Sequence, residues 1–356
     1  MIKLVEVIDE LEMGGAQHVL HEIITHLDKE KFDITIICFK KARPFASMLE
    51  QEVLAKGFKV IYLKPKKRRY KYLQLMWELT KIRPDVIHAH QTGIVAAYWG
   101  FWARVKTIIT IHTKPARSFI FRNSRRAYKF GLKTKSIITV AISAFNKKLC
   151  QEYWNIPEKE VCYVNNGVNI DGCVPESHDC FSFINVGRQD ENKNQILIIK
   201  AFNRFLKEVS SDVQLYLVGD GECKEQLQKT VAELNIEDKV IFTGYIANPR
   251  PFLAKADVYI SSSHREGLPL SVLEGMAFGL PVIATDVGGV RDLAQENGYL
   301  IEDDDENAMF NAMRELYKNP EICKDKGAKS LEIVQQYTTQ KMADGYAKLF
   351  EEYAKK

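Results

Sequence analysis

The chain has 356 residues, 46% of them hydrophobic, which bounds it to about two domains of ordinary size, each able to bury its own core. Its formal net charge of +4 hides a split: 29 Lys and Arg stand against 15 Asp and Glu through Asn165, and 21 against 31 beyond it, so the first half seeks anionic surfaces. Seven cysteines, an odd number with no C-x-x-C pair, argue against a disulfide scaffold and fit structural thiols in a reducing, cytosolic setting.

Met1 to Val7 reads as a short strand carrying Lys3 and Glu6, not as the charged start and long apolar stretch of a secretory signal. Candidate strands follow at Phe32 to Phe39, Lys59 to Leu63, Asp85 to Ala89, Thr107 to Ile111 and Ile137 to Ile142. Helical patterns such as Ala16 to Leu27 and Tyr70 to Ile82 lie between them. That alternation predicts a parallel sheet with helices on both faces. The apolar run Gly93 to Ala103 falls short of the roughly 20 residues a spanning helix needs and reads as a buried helix; nothing here spans a bilayer.

Basic residues gather at Lys64 to Lys71 and from Lys114 to Lys135, the latter holding Arg117, Arg122, Arg125, Arg126, Lys129 and Lys133 without an acid. Interleaved Phe119, Ile120, Phe121, Tyr128 and Phe130 give the second run the character of a membrane-surface segment. Solvated loops and helix faces are the plainer alternative. No nucleic-acid reader motif accompanies the charge, so no nucleic-acid partner is expected.

Asp171 to Asp179, with Gly172, Pro175 and no periodicity, reads as a linker, and strand–helix alternation resumes at Phe181. The strand Phe181 to Val186 ends in Gly187-Arg188, and Lys193 follows at the expected start of the next helix. Two cations there have the wrong sign for the helix dipole and call for an anion, or for pairing with Asp190 and Glu191. Further strands end in Gly219-Asp220-Gly221 and Thr243-Gly244-Tyr245. Then comes Ser261 to Gly289, with Glu266 in a loop, Gly267 and Leu268 just outside a helix opened by Pro269, and Glu274 about one and a half turns in. Gly279 to Gly289 reads as a short apolar strand followed by a glycine pair, Gly288-Gly289, that opens another helix at Val290. In open α/β sheets ligands collect at such carboxyl strand ends.

This ordered set resembles the retaining glycosyltransferases of family four. Met13-Gly14-Gly15-Ala16-Gln17, Thr110-Ile111-His112, Ala141-Ile142-Ser143 and Asn165 to Asn169 occur in the order that family shows them, and the likeness covers nearly the whole chain. It implies the GT-B fold: two doubly wound, Rossmann-like α/β domains facing a cleft. The boundaries that follow are 1–170 for an acceptor-binding domain and 171–338 for a nucleotide-sugar domain. The chain-end helices Glu306 to Tyr317 and Thr339 to Tyr353 resemble those that return to brace the first domain, 339–356 above all.

By the same resemblance Arg188 and Lys193 meet the donor diphosphate, with Gly15 and Gly219 in its cradle, and Glu266 with Gly267 and Leu268 meets the donor sugar. Glu274 holds the ribose hydroxyls, Tyr245 and Ile246 line the base, and His112 sits at the sugar. Glu266 and His112 are the catalytic candidates. Tyr245 as core and His112 as a structural residue are the alternatives. The expected donor is a UDP-sugar, with GDP not distinguished, and the acceptor a saccharide or polyprenyl-linked saccharide. No cofactor and no metal are expected, since Asp303-Asp304-Asp305 precedes a helical pattern and reads as a cap. An epimerase or phosphorylase of the same fold, or a binding protein without turnover, are the competing functions. The expected location is cytoplasmic, at the inner face of the membrane.

Overall fold

A computed structural model of the chain describes all residues except 13, 44–46, 91–92, 113–124, 210–211 and 355–356. It comprises two compact units, Met1–Gly167 with Thr339–Lys356, and Val168–Thr338.

The first unit runs β1 (Ile2–Ile8), α1 (Gly15–His26), β2 (Phe32–Cys38), α2 (Met48–Ala55), β3 (Lys59–Tyr62), α3 (Arg68–Ile82), β4 (Val86–His90), α4 (Ile94–Ala103), β5 (Lys106–Ile111), α5 (Arg125–Lys133), β6 (Ile137–Ala141), α6 (Ala144–Trp154) and β7 (Val161–Tyr163). Its seven strands are parallel, in the order β3-β2-β1-β4-β5-β6-β7. Helices cover both faces of such a sheet, so the strands read as unbroken apolar runs rather than alternating ones. Val5, Val7, Ile37, Ile87 and Ile109 form the core of one face. The winding reverses between β1 and β4, which makes their carboxyl ends the place where a ligand meets backbone from two directions.

The second unit runs β8 (Phe181–Val186), α7 (Gln195–Leu206), β9 (Val213–Val218), α8 (Lys224–Glu233), β10 (Val240–Gly244), α9 (Arg250–Leu253), β11 (Val258–Ser261), α10 (Leu270–Ala277), β12 (Val282–Thr285), β13 (Gly298–Ile301), α11 (Glu306–Lys318) and α12 (Pro320–Val334). Its strands are parallel in the order β10-β9-β8-β11-β12-β13, with the reversal between β8 and β11. Phe183, Phe202 and Phe205 are fully buried, and Tyr317 of α11 meets Phe205 edge-on at 5.3 Å. The last helix, α13 (Thr339–Tyr353), returns to the first unit, where Phe350 packs on Phe32 at 6.1 Å.

Several local expectations are corrected. Pro269 is the N-cap of α10, extended at φ −75° and ψ 112°, and Leu270 is the first helical residue. Lys193 lies in the turn before α7, which starts only at Gln195 because Asn194 is left-handed at φ 47°. The segment at Gly288 is a single 3-10 turn ending at Asp292. Helix α4 buries Ala96, Ala97 and Gly100 but exposes Tyr98 and Trp102, so an all-apolar sequence is a surface helix. Of the two chain-end helices only Thr339–Tyr353 joins the first unit; Glu306–Lys318 packs on α7 within the second. The stretch 171–179 is tied to the second unit: Glu176 N–H donates to Ala254 O at 2.7 Å and His178 Nε2 to Asp257 at 2.8 Å.

Candidate functional site

At the reversal of the second sheet, β8 and β11 are neighbours and their following loops interlock. Asn185, buried at the end of β8, donates to Ile260 O of β11 at 2.7 Å. Ser262, just past β11, donates to Lys193 O and Asn194 O at 2.7 and 2.9 Å. The turn before α7 is therefore clamped to the loop that carries Glu266. The consequence is an ion pair across 73 residues: Lys193 Nζ lies 2.7 Å from Glu266 Oε1, with side chains only 20% and 12% exposed.

Arg188 takes a different place. Its guanidinium is 83% exposed and stands 3.4 Å from Asp190, a surface pair worth at most about 1 kcal/mol that a stronger anion displaces. Asp190 is itself committed, accepting from Lys193 N–H at 3.1 Å. Glu274 lies on α10 beside the buried Tyr259, whose hydroxyl donates to Val186 O at 3.2 Å. Burial, with the Glu274 and Glu266 carboxylates adding to it, pushes that phenol far above its usual range.

Glycines let these loops close. Gly219 has φ 138°, and a Cβ there would stand 2.0 Å from Gly187 O, beside Arg188. Gly288 has φ 62°, and its Cβ would stand 1.8 Å from Glu266 O. No L side chain fits either position without moving the backbone. Gly288→Ala is expected to cost about 2 kcal/mol in urea unfolding, from strain and clash together, and to move Glu266 off Lys193; unchanged stability would count against this packing.

The remaining residues expected at the donor fall as follows. Tyr245 follows β10 and is 49% exposed, which removes the core alternative, and Ile246 is half-buried beside it. Gly219 N–H donates to Gly244 O at 3.0 Å, bringing the β9 and β10 ends together. Gly267 O accepts from Gly289 N–H at 3.0 Å. Leu268 is buried, so its side chain belongs to the packing and only its main chain faces the loop. Asp305 caps α11, accepting from Ala308 N–H at 2.9 Å.

In the first unit Gly15 opens α1, the helix after the loop that follows β1, with open space where a Cβ would stand. His112 follows β5 and is not the isolated residue its sequence suggests. Its Nε2 lies 2.9 Å from His90 Nδ1, the rings stacked at 5.2 Å. His90 Nε2 is 3.3 Å from Glu6 Oε2, and His88 Nδ1 is 2.9 Å from the same oxygen. His88 Nε2 meets Thr110 Oγ1 at 2.8 Å, and Thr110 meets the Tyr346 hydroxyl of α13 at 2.8 Å. Burial raises Glu6, but His88 and His90 outweigh it and bring the carboxyl down to about 2. Burial, then His88, with Glu6 opposing, bring His90 down to about 4. Burial, then His90 and His88, hold His112 well below the ordinary imidazole range. The signals for this cluster were Glu6 inside an apolar strand and His88-x-His90, whose period of two puts both rings on one face of β4.

Among the described residues two groups meet the spacing of cation ligands, each offering atoms within 4.8 Å of one another: Glu6, His88 and His90, and His264, Asp303 and Asp304. In the first, His88 Nδ1 donates to Glu6 Oε1 at 3.0 Å while Glu6 Oε2 is buried without a hydrogen-bond partner; hydrogen bonding accounts for the second. Glu6 sits between two rings, His264 Nδ1 donates to Asp303 at 2.8 Å, and Asn194 Nδ2 donates to Asp304 at 2.7 Å.

Two family models match: Glycosyltransferase Family 4 over residues 13–171 and Glycosyl transferases group 1 over residues 181–319. An uncharacterized glycosyltransferase of Methanocaldococcus jannaschii is 29% identical over 245 residues, 62% of this chain and 59% of that protein's length. The Campylobacter jejuni protein named GalNAc-alpha-(1->4)-GalNAc-alpha-(1->3)-diNAcBac-PP-undecaprenol alpha-1,4-N-acetyl-D-galactosaminyltransferase is 28% identical, covering 90% of both chains. Among solved structures, HepE of Anabaena in complex with UDP-glucose superposes with a TM-score of 0.83 at 17% identity, over 99% of this chain and 100% of that one. With its two parallel-sheet α/β domains matched in turn, the chain belongs to the family-four glycosyltransferases and carries their GT-B fold.

Proposed function

We propose that the protein is a retaining glycosyltransferase that moves a hexose or N-acetylhexosamine from a UDP-sugar to a polysaccharide or lipid-linked saccharide in cell-surface glycan synthesis. The observation that carries this is the Lys193–Glu266 pair at the reversal of the second sheet, flanked by the exposed Arg188 guanidinium and by Glu274. The UDP choice draws on the ligand of the HepE complex, and the lipid-linked acceptor on the name of the Campylobacter relative.

Transfer from a sugar diphosphate builds positive charge at the anomeric carbon and negative charge on the leaving phosphate. Arg188 supplies a bidentate donor for the diphosphate and Lys193 a point charge, a division suited to these two side chains. Those cations take the role a metal plays in other transferases, so no metal is required. Gly15 and Gly219 let the phosphates approach backbone N–H groups. Glu266, with the main chain of Gly267 and Leu268, accepts from donor-sugar hydroxyls, and Glu274 from the vicinal ribose pair. Tyr245 and Ile246 flank the base. His112 is the catalytic candidate in the first domain. The leaving phosphate takes the acceptor proton, so no protein general base is assigned.

Calorimetry tests the donor site. Arg188→Ala and Glu274→Ala are each expected to weaken UDP binding roughly tenfold, about 1.4 kcal/mol, the Arg188 effect shrinking with salt; unchanged affinity in both sinks the assignment. Hydrolysis of UDP- and GDP-sugars then identifies the donor.

The protein acts at the inner membrane face in this proposal, its first domain held against anionic lipid. Arg117, Arg122 and Phe119 to Phe121 of the basic run lie outside the described residues. Within α5, Arg125, Arg126, Lys129 and Phe130 are exposed while Tyr128, Gly131 and Leu132 are buried. Phe130 meets Phe101 of α4 at 5.2 Å. Exposed Trp102 and Tyr98 on α4 and Trp77 on α3 extend an aromatic and basic surface of the kind that settles at headgroups. Neutralising Arg125, Arg126 and Lys129 is expected to weaken binding to phosphatidylserine vesicles by about 1 kcal/mol per charge; equal binding removes the membrane from the proposal.

A further inference from the structure

Glu6 of β1 stands opposite His88 of β4 in the sheet register, and the period of two along β4 puts His90 on the same face. All three side chains are fully buried. A carboxylate so far from water is expected to have both oxygens hydrogen-bonded, because an unsatisfied buried acceptor is costly. Glu6 departs from this. His88 Nδ1 donates to its Oε1 at 3.0 Å, while Oε2 accepts no hydrogen bond among the described residues. Oε2 instead faces two imidazoles, 2.9 Å from His88 Nδ1 and 3.3 Å from His90 Nε2.

Those separations match the edges of a coordination shell. With ligand atoms about 2.0–2.1 Å from an ion, neighbouring donors stand roughly 2.8–3.0 Å apart in an octahedron and roughly 3.3–3.4 Å apart in a tetrahedron. We propose that Glu6, His88 and His90 form a structural site for one divalent transition-metal ion, zinc foremost, held by Glu6 Oε2, His88 Nδ1 and His90 Nε2. Glu6 Oε1 is near enough to join as the second oxygen of a bidentate carboxylate. Two imidazoles with one carboxylate suit zinc, whereas magnesium and calcium prefer oxygen ligands. Binding displaces to solvent the proton that His88 Nδ1 shares with Glu6, and that ring then carries its hydrogen on Nε2. The far nitrogens are placed for this. His88 Nε2 lies 2.8 Å from Thr110 Oγ1, itself 2.8 Å from the Tyr346 hydroxyl, and His90 Nδ1 lies 2.9 Å from His112 Nε2. Such outer contacts orient metal-bound imidazoles. The ion pins β1 to β4 and, through Thr110 and Tyr346, braces α13; it takes no part in sugar transfer and does not depend on it.

The experiment uses the full chain, refolded from urea with zinc so that the buried site can load, then desalted and assayed for metal by plasma emission. Wild type is expected to keep about one zinc ion per chain, and Glu6→Gln and His90→Gln each less than about a tenth of that. His264→Ala, at the exposed second cluster, keeps the wild-type amount. Thr110→Val preserves the shape of the side chain but removes the contact to His88, and is expected to weaken zinc roughly 10- to 100-fold in competition with a chromophoric chelator. The proposal is overturned by a wild type that keeps no zinc, by undiminished zinc in Glu6→Gln and His90→Gln, by loss of zinc in His264→Ala, or by equal affinity in Thr110→Val. The wild-type metal count and the Thr110→Val affinity decide even if the two ligand variants do not fold.

Discussion

Lys193→Ala is expected to lower sugar transfer by roughly 10²- to 10³-fold, the effect of removing one donor aimed at developing charge. The ammonium has two partners in sequence. It sits 2.7 Å from Glu266 in a loop pair that excludes most water; in the proposed function it turns to the leaving diphosphate when the donor binds, where charge grows along the reaction. The substitution therefore has two costs, and they separate. Stability falls by about 2 kcal/mol, because a mostly buried carboxylate loses its counter-ion. In the double variant Lys193→Ala, Glu266→Gln, the neutral amide removes that penalty and stability returns, while transfer stays low. Urea unfolding and initial rates on the same preparations check both halves. A single variant within threefold of wild-type rate, or a double variant that regains turnover, would show that the pair only holds the loops together.

That pairing marks the limit of what the sequence discloses. Strand and helix alternation, with glycines at strand ends, sufficed to expect doubly wound sheets, because apolar runs bounded by Gly187, Gly219 and Gly244 leave few other solutions. The family resemblance brought Arg188, Lys193, Glu266 and Glu274 together on one list. It did not say that Lys193 and Glu266 touch, since that depends on the Ser262 clamp and on the absent Cβ of Gly288, contacts between segments far apart in the chain. Pro269 shows a smaller loss: its φ suits both the first helical position and the cap, and the extended ψ of 112° decides. Glu6 was visible only as a reason to reject a secretory signal. Its meaning comes from register, since Glu6 pairs with His88 across β1 and β4, and His90 with Thr110 across β4 and β5. Three short strands, β7, β11 and β13, of three or four residues each, gave too little pattern to be named.

The buried histidines make the first unit sensitive to acid. His90 has an ordinary value of 6.5 and is brought down to about 4 in the fold. Below pH 6.5 the unfolded chain therefore binds a proton that the folded chain refuses, so stability is full above 6.5 and falls as pH drops toward 4. At 1.36 kcal/mol per unit, His90 alone removes roughly 2 kcal/mol by pH 5. His112 and His18, also lowered by burial, act with the same sign. Glu6, brought down to about 2, adds its own loss only below its ordinary value of 4.5. All four tryptophans, Trp77, Trp99, Trp102 and Trp154, belong to the first unit, so tryptophan fluorescence in urea follows this unit and not the other. The midpoint is expected to fall between pH 7 and pH 5 in the wild type and to fall distinctly less in His90→Gln, which has no proton to take up. Equal falls in the two proteins, or none in the wild type, would mean that His90 titrates as it does in water, and that the carboxylate of Glu6 does not govern the rings around it.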